Sequence, residues 1–425
     1  MIVAECLDQF TSRFPAEVVG ERRIGIKKEF PVISSRTFRA TGSKELFRQL
    51  VAKGNGWIPL VDGKNLAGCT KDGIVVANSS SICTLEISFP PQDSLYQAKI
   101  LEGEVICEVS QELKTMDSLM LGYGIQPLNS AGNDLWQKSD RICAMRRNFP
   151  NAISGATITA ADNVCLEISS KELIEANNVF NALAPVIIAI FANSPVWKGS
   201  IDHFNRRSVR EDLWKEWEPC GQRIGVPNYF NSAEEYLRHL QSLKFWATKD
   251  KAGRYFLPEQ SFGSWVAQNA NNGSEFMGYL LEQEKFIWTC ARPRAKYGTI
   301  EIRSACSQPP DAEILPAAFC LGVMENLNAI SNLIRLYRWK DWKILYQKSI
   351  TYGFNAKVGT LSLDSVAEEV LALAYEGLER RYLGEEMLLS DAFARLYKRE
   401  APAERILRLM KETKDLKKII KKVAY

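Results

Sequence analysis

At 425 residues, with 46% apolar and 24% charged residues and a formal net charge of +4, the chain has the make-up of an ordinary globular protein able to bury a large core. A slight excess of cations is no footing for phosphate-backbone recognition, so nucleic acid is not expected as a partner. Ten cysteines with no C-x-x-C pair argue against a zinc site, and two histidines, His203 and His239, leave little room for histidine-based acid–base chemistry.

The first ten residues carry Glu5 and Asp8 and no basic cluster, which does not resemble a secretory leader. The cysteines are therefore expected to be reduced thiols of a cytoplasmic protein, most of them packed as small hydrophobes. The first strand candidate is RRIGIKKEFPVIS (22–34), an apolar run with Lys27, Lys28 and Glu29 in its middle. SKELFRQLVAKG (43–54) reads as a helix capped by Ser43 and stopped by Gly54. Short strands follow through TLEISF, with Asp-Gly turns at 62–63 and 72–73. DSLYQAKILEGEVICEVSQELKTMDS has helical spacing, and LMLGYGIQPL reads as another short strand.

GATITAADNVCLEISS (155–170) is a further strand candidate, ahead of either a helix pair or a single helix broken at Pro185. The run ALAPVIIAIFA (182–192) is only about half of the roughly 20 residues needed to span a bilayer, so it reads as core and no membrane association is expected. The stretch AEEYLRHLQSL places His239 on a helix, and His203 falls in a loop beside arginines. EKFIWTCARPR and GTIEIRSACSQ (298–308) form a hairpin around AKYG, and nearly everything from Ala312 onward reads as helix. The closing amphipathic stretch sets Ile406, Leu407, Met410, Leu416, Ile419 and Ile420 against a basic face, a stripe expected to dock on the body of the protein. These elements predict an α+β fold. A largely antiparallel sheet has one open face and helices behind it, within a single domain over residues 1–425 whose part 312–425 is a helical layer.

Three strands set a carboxylate inside apolar alternation: Glu29 in KKEFPV, Glu86 in TLEISFPP and Glu301 in GTIEIRS. Period-two alternation allows one sheet face to gather these acids with Arg303. Solvent-facing positions account for isolated acids of this kind, whereas buried carboxylates need cations, and a divalent metal with arginine supplies them. No G-x-x-x-x-G-K-[ST] loop is present, and GYGIQP lacks the helix that a dinucleotide fingerprint requires.

Over roughly residues 24–325, the order of GIKKEF, TLEISFPPQDSL, GYGIQP, MRRNFP, TAADNVCLEISSKEL, LAPVIIAIFANSPVWKG, RRSVREDLW and WTCARPRAKYGTIEIRSACSQP resembles the carboxylate–amine ligases of glutamate–cysteine ligase family 2. FANSP and GTIEIR are the most specific matches. The resemblance implies a glutamine-synthetase-like fold and ATP- and Mg²⁺-dependent amide synthesis from small amino-acid substrates, through an acyl phosphate. It implies metal ligation by Glu29, Glu86 and Glu301, and phosphate neutralisation by Arg303. Arg146 or Arg147, with Arg210, would grip the substrate carboxylate or phosphates. Arg292, Arg303 and Asn163 would lie along the ATP site, and a homo-oligomer is an open expectation.

Departures from the pattern are equally visible. Lys27 stands where G-x-E-x-E has its first acid, ANSSSIC replaces a glycine-rich acidic stretch, and Cys165, Ala291 and Cys306 replace polar residues. Two further readings stay open on these grounds: a relative that binds nucleotide or amino acid without turnover, and a use of the same ATP site to modify a peptide or protein.

Overall fold

The computed structural model describes residues 2–62, 65–148, 154–215, 222–250 and 253–425. Its centre is a nine-stranded sheet of β1 (Ile24–Ser34), β2 (Ile58–Asp62), β3 (Asn65–Lys71), β4 (Ile74–Asn78), β5 (Thr84–Ser88), β6 (Ser118–Met120), β7 (Ala161–Glu167), β8 (Ala291–Arg294) and β9 (Thr299–Cys306). The spatial order is β8-β9-β7-β1-β5-β4-β3-β2, with β6 paired to the far end of β1. Every pair is antiparallel. The Asp-Gly turn between β3 and β4 forms as expected, with Asp72 and Gly73 both at positive φ (49° and 81°), the geometry of a tight hairpin turn.

Alternation decides which face is which. On β1, Ile24, Ile26, Lys28 and Phe30 are buried while Gly25, Lys27 and Glu29 between them are half-buried. The buried set joins Leu85, Ile87, Val164, Leu166, Ile300 and Ile302 from the neighbouring strands in one core with the helices behind the sheet. The helices Leu173–Ala182 and Ala184–Phe191 are bent by 50° at their junction, and Pro185 sits in the first turn of the second, where its missing N–H is no loss. Among the described residues no single helix is long and apolar enough to cross a membrane.

The chain beyond Ala312 is helical apart from a short hairpin at Lys357–Val358 and Leu361–Ser362. Its helices Leu315–Glu325 and Leu363–Glu379 cross backbone to backbone. A Cβ at Gly322 would lie 2.3 Å from the Ala374 carbonyl oxygen, and one at Gly377 would lie 2.2 Å from that of Gly322. The closing helices Pro402–Thr413 and Leu416–Val423 dock as their stripe predicts. Ile406, Ile419, Ile420 and Val423 join Ile33, Leu121, Tyr123 and Ile158 in a second cluster, and Lys417, Lys418, Lys421 and Lys422 face water. The LMLGYGIQPL segment is a strand only over Ser118–Met120; beyond it the Gly122 N–H donates to the Val423 carbonyl at 2.7 Å.

Candidate active site

The open sheet face collects the polar side chains of five strands. Glu29 on β1 lies opposite Glu86 on β5, and Lys27 lies opposite Ser88 on one side and Asn163 of β7 on the other. Glu301 on β9 is opposite Cys165 of β7 and Arg292 of β8, while Arg294 is opposite Thr299. Directly opposite residues share a face, so the register brings Lys27, Glu29, Glu86, Glu301, Arg292, Arg294 and Asn163 together. Between the pairs Ile302↔Val164 and Ala305↔Asp162 the register shifts, leaving Arg303 and Ser304 against the single residue Asn163. That is a β-bulge, and it re-aims Arg303 over the middle of the face.

The charges are paired among themselves. Lys27 Nζ lies 3.1 Å from Glu86 Oε2 and 3.9 Å from Glu29 Oε1. Glu29 also accepts hydrogen bonds from the Ser79 hydroxyl (3.1 Å) and the Ala161 N–H (3.0 Å). Glu301, 4% exposed, is gripped by Arg292 Nε at 2.5 Å and by Arg294 and Arg303 at 3.1 and 3.2 Å. Burial alone would push the Glu301 carboxyl up; Arg292, Arg303 and Arg294 outweigh it and hold the group well below the usual carboxylate range. Burial likewise works against the Lys27 ammonium, but Glu86, Glu29 and Glu301 outweigh it and raise its pKa. Arg292 is brought down to about 10 by burial, against the pull of Glu301.

The expected metal ligands Glu29, Glu86 and Glu301 do share one face, but each has a cation against it. Among the described residues no group of three or more His, Cys, Asp or Glu side chains is placed to hold a metal ion. These residues do not fit a protein-held Mg²⁺, because the ammonium and guanidinium groups already take the positions a divalent ion needs.

Two cavities meet on this face. A cleft of about 690 Å³ is lined by Gly25, Ile26, Phe89, Pro90, Pro91 and Tyr297 with Arg23, Lys27, Glu86, Arg294 and Glu301. A smaller, polar chamber of about 170 Å³ is lined by Lys27, Glu29, Ser79, Ser80, Glu86, Arg141, Lys285, Arg292 and Arg303, with Trp214 and Trp288 as its aromatic wall. Lys27 and Glu86 line both.

The remaining expected residues differ in how they reach the site. Arg303 lines the polar chamber. Arg292 lines it too, but its guanidinium is committed to Glu301 and to the carbonyls of Glu284 and Ile287. Arg210 is buried beneath, paired with Glu211 and donating to the Arg303 carbonyl at 2.9 Å, so it positions the bulge rather than facing either cavity. Asn163 is wholly buried opposite Lys27, and neither of its amide atoms has a hydrogen-bond partner. Met145–Asn148 of the MRRNFP segment close a helix, Asp140–Asn148, and Phe149 and Pro150 fall outside the described residues. Arg146 lies on that helix but not on the cavity walls, the Arg147 side chain falls outside the described residues, and Arg141 is the helix's cavity residue. At about 100° per residue, positions 141 and 146 point roughly 140° apart around the axis. Arg294, Arg141 and Lys285 were not singled out by sequence; only Arg294 left a signal, two residues from Arg292 on the same strand.

Beneath the sheet the adjacent Lys28, 1% exposed, pairs with Asp162 at 3.1 Å, donates to the Glu313 carbonyl at 2.7 Å and lies 3.8 Å from Glu102. Burial pushes the Glu102 carboxyl up to about 7 and that of Asp162 to about 6, with Lys28 opposing in both cases.

Comparison with known proteins gives a consistent family. The model described as Glutamate-cysteine ligase family 2 (GCS2) matches residues 23–357. The chain is 24% identical over 407 residues to glutamate–cysteine ligase A, chloroplastic, of Oryza sativa subsp. indica, covering 92% of this chain and 81% of that protein. It is 23% identical over 299 residues to a putative glutamate–cysteine ligase 2-3 of Rubrobacter xylanophilus, covering 69% and 64%. In three dimensions it resembles the glutamate–cysteine ligase of Francisella tularensis solved in complex with AMP, with a TM-score of 0.59 at 15% identity over 96% of this chain and 87% of that one. A bifunctional glutathione synthetase from Pasteurella multocida shares the fold at a TM-score of 0.52 and 11% identity, over 99% and 52% of the two chains.

Proposed function

Because the chain belongs to glutamate–cysteine ligase family 2 and is an ATP-dependent carboxylate–amine ligase, we propose that it activates an amino-acid carboxylate, glutamate being the first candidate, as an acyl phosphate and couples it to an amine. The observation that carries this reading is the meeting of the two cavities over Lys27 and Glu86. The larger cleft, lined by the apolar Phe89, Pro90, Pro91 and Tyr297 and by the cations Arg23, Lys27 and Arg294, suits a nucleotide whose phosphates meet those cations. The polar chamber, with Arg141, Lys285 and Arg303, suits a small anionic acid.

In this arrangement a carboxylate oxygen bonds to the γ-phosphorus, the bond from phosphorus to the β–γ bridging oxygen breaks, and ADP leaves with the electron pair. The amine nitrogen then attacks the acyl carbon, phosphate departs, and the nitrogen loses a proton. The contribution of the chain is to align the two reactants and to neutralise the charge spread over the transferring phosphoryl group. Arg303, placed by the bulge and steadied by Glu301, is the group proposed to do so. Its planar fork matches two phosphate oxygens at once.

Purified chain incubated with Mg-ATP, a panel of amino acids and a panel of amines tests the reading by ADP release and product mass. Release that requires both an acid and an amine is expected. Release with an acid alone would instead indicate a phosphotransferase, and a modified peptide or protein in the product would redirect the assignment to that substrate class.

A further inference from the structure

The open face is a place prepared for anions rather than for a metal. Glu29, Glu86 and Glu301 stand against Lys27, Arg292, Arg294 and Arg303, so three carboxylates meet four cations and the cluster carries one net positive charge. A free divalent ion arriving between Glu29 and Glu86 meets the Lys27 ammonium already there, 3.1 Å from one carboxylate and 3.9 Å from the other. Glu29 is further occupied by Ser79 and the Ala161 N–H. Lys27 itself remains 24% exposed and borders both cavities, so it can reach a ligand in either without leaving its carboxylates.

We propose that Lys27 is the resident cation of this site: its ammonium, held over the sheet by Glu86 and Glu29, contacts the nucleotide's terminal phosphates directly and stands in place of a divalent ion held by the protein. The proposal rests on the nucleotide reading above and makes it more specific. The ligand is a polyphosphate anion that the chain binds whether or not a metal is chelated to it, and a metal enters only as the phosphates' own companion. The unpartnered amide of Asn163, directly opposite Lys27 in the register, supplies polar capacity beside the ammonium.

The test is calorimetric titration of the full chain with ATP, in excess EDTA and in Mg²⁺, alongside Mn²⁺ binding without nucleotide followed by electron paramagnetic resonance. Expected are ATP affinities within about tenfold of each other in the two buffers and no Mn²⁺ bound without nucleotide. Lys27→Met should lose at least about tenfold in affinity in EDTA, and Lys27→Glu should gain Mn²⁺ binding by the protein alone. Mn²⁺ bound by the unaltered chain, or ATP bound only when a divalent ion is present, overturns this proposal while leaving the ligase reading intact. Absence of ATP binding in both buffers overturns the nucleotide reading and this proposal with it.

Discussion

Glu301 shows how one residue can look like a metal ligand in sequence and be a counter-ion in the fold. Two of its three guanidinium partners, Arg292 and Arg294, come from the neighbouring strand and the third, Arg303, from its own, and Arg292 is 5% exposed, so the carboxylate is what allows that arginine to be buried. Glu301→Gln leaves Arg292 without its partner, and a loss of about 3–5 kcal/mol in denaturant unfolding is expected. A variant as stable as the parent would show that Arg292 is satisfied by the carbonyls alone. Glu102 makes the opposite case. Its folded-state pKa of about 7 lies above the ordinary carboxyl value, so the fold retains a proton that the unfolded chain has released. Its stabilising share is therefore complete at low pH and declines as pH rises from about 4.5 through about 7. The stability of the parent should fall across that window more steeply than that of Glu102→Gln, by at most about 1.4 kcal/mol per pH unit. Parallel curves would remove Glu102 as the titrating group.

At the scale of elements, the strands were legible because period-two alternation exposes its odd members. That is why one face could be expected to gather Glu29, Glu86 and Glu301. What alternation cannot convey is which residue of the next strand lies opposite, and so the pairing of Lys27 with Glu86 and the bulge at Arg303 and Ser304 were invisible. Arg141 reaches the chamber from the helix Asp140–Asn148 and Lys285 from the turn that closes the helix Gly273–Glu284, where period-two spacing gives no signal. Arg141 and Arg146 share the helix Asp140–Asn148, and nothing in the residue pattern tells which arginine of that helix lines the chamber. The helical layer has a comparable hidden constraint at Gly322. A methyl group there meets the Ala374 backbone, which has no rotamer to yield. Gly322→Ala should therefore lower the thermal midpoint, at a cost of about 1–3 kcal/mol, despite the better helix propensity of alanine. A midpoint equal to or above that of the parent would mean the helices separate without penalty.

Across the whole molecule, the closing helices tie the far end of β1 to the rest of the chain. Ile419, Ile420 and Val423 cover Ile33, Leu121 and Tyr123, and the Tyr425 N–H donates to the Met120 carbonyl at 3.0 Å. A chain ending at Thr413 uncovers that cluster, and a fall in Tm of at least about 5 °C is expected by calorimetry. Lys417→Glu with Lys421→Glu on the wet face should leave Tm within about 1 °C. The reverse ranking would mean that the basic face, not the apolar stripe, secures the helix. Strand β1 also carries its own matched pair. Lys27 and Lys28 are the same side chain one position apart, and only the pleat sends one into the cleft and the other among Asp162, Glu102 and the Glu313 carbonyl. Lys28→Met should cost about 3–5 kcal/mol of stability by stranding buried acids. Set beside Lys27→Met it forms an internal control that holds chemistry and chain position constant and varies nothing but the side of the sheet. Two neighbouring letters that alignment by residue type treats as interchangeable thus divide the labour of the protein, one answering to ligand and the other to folding.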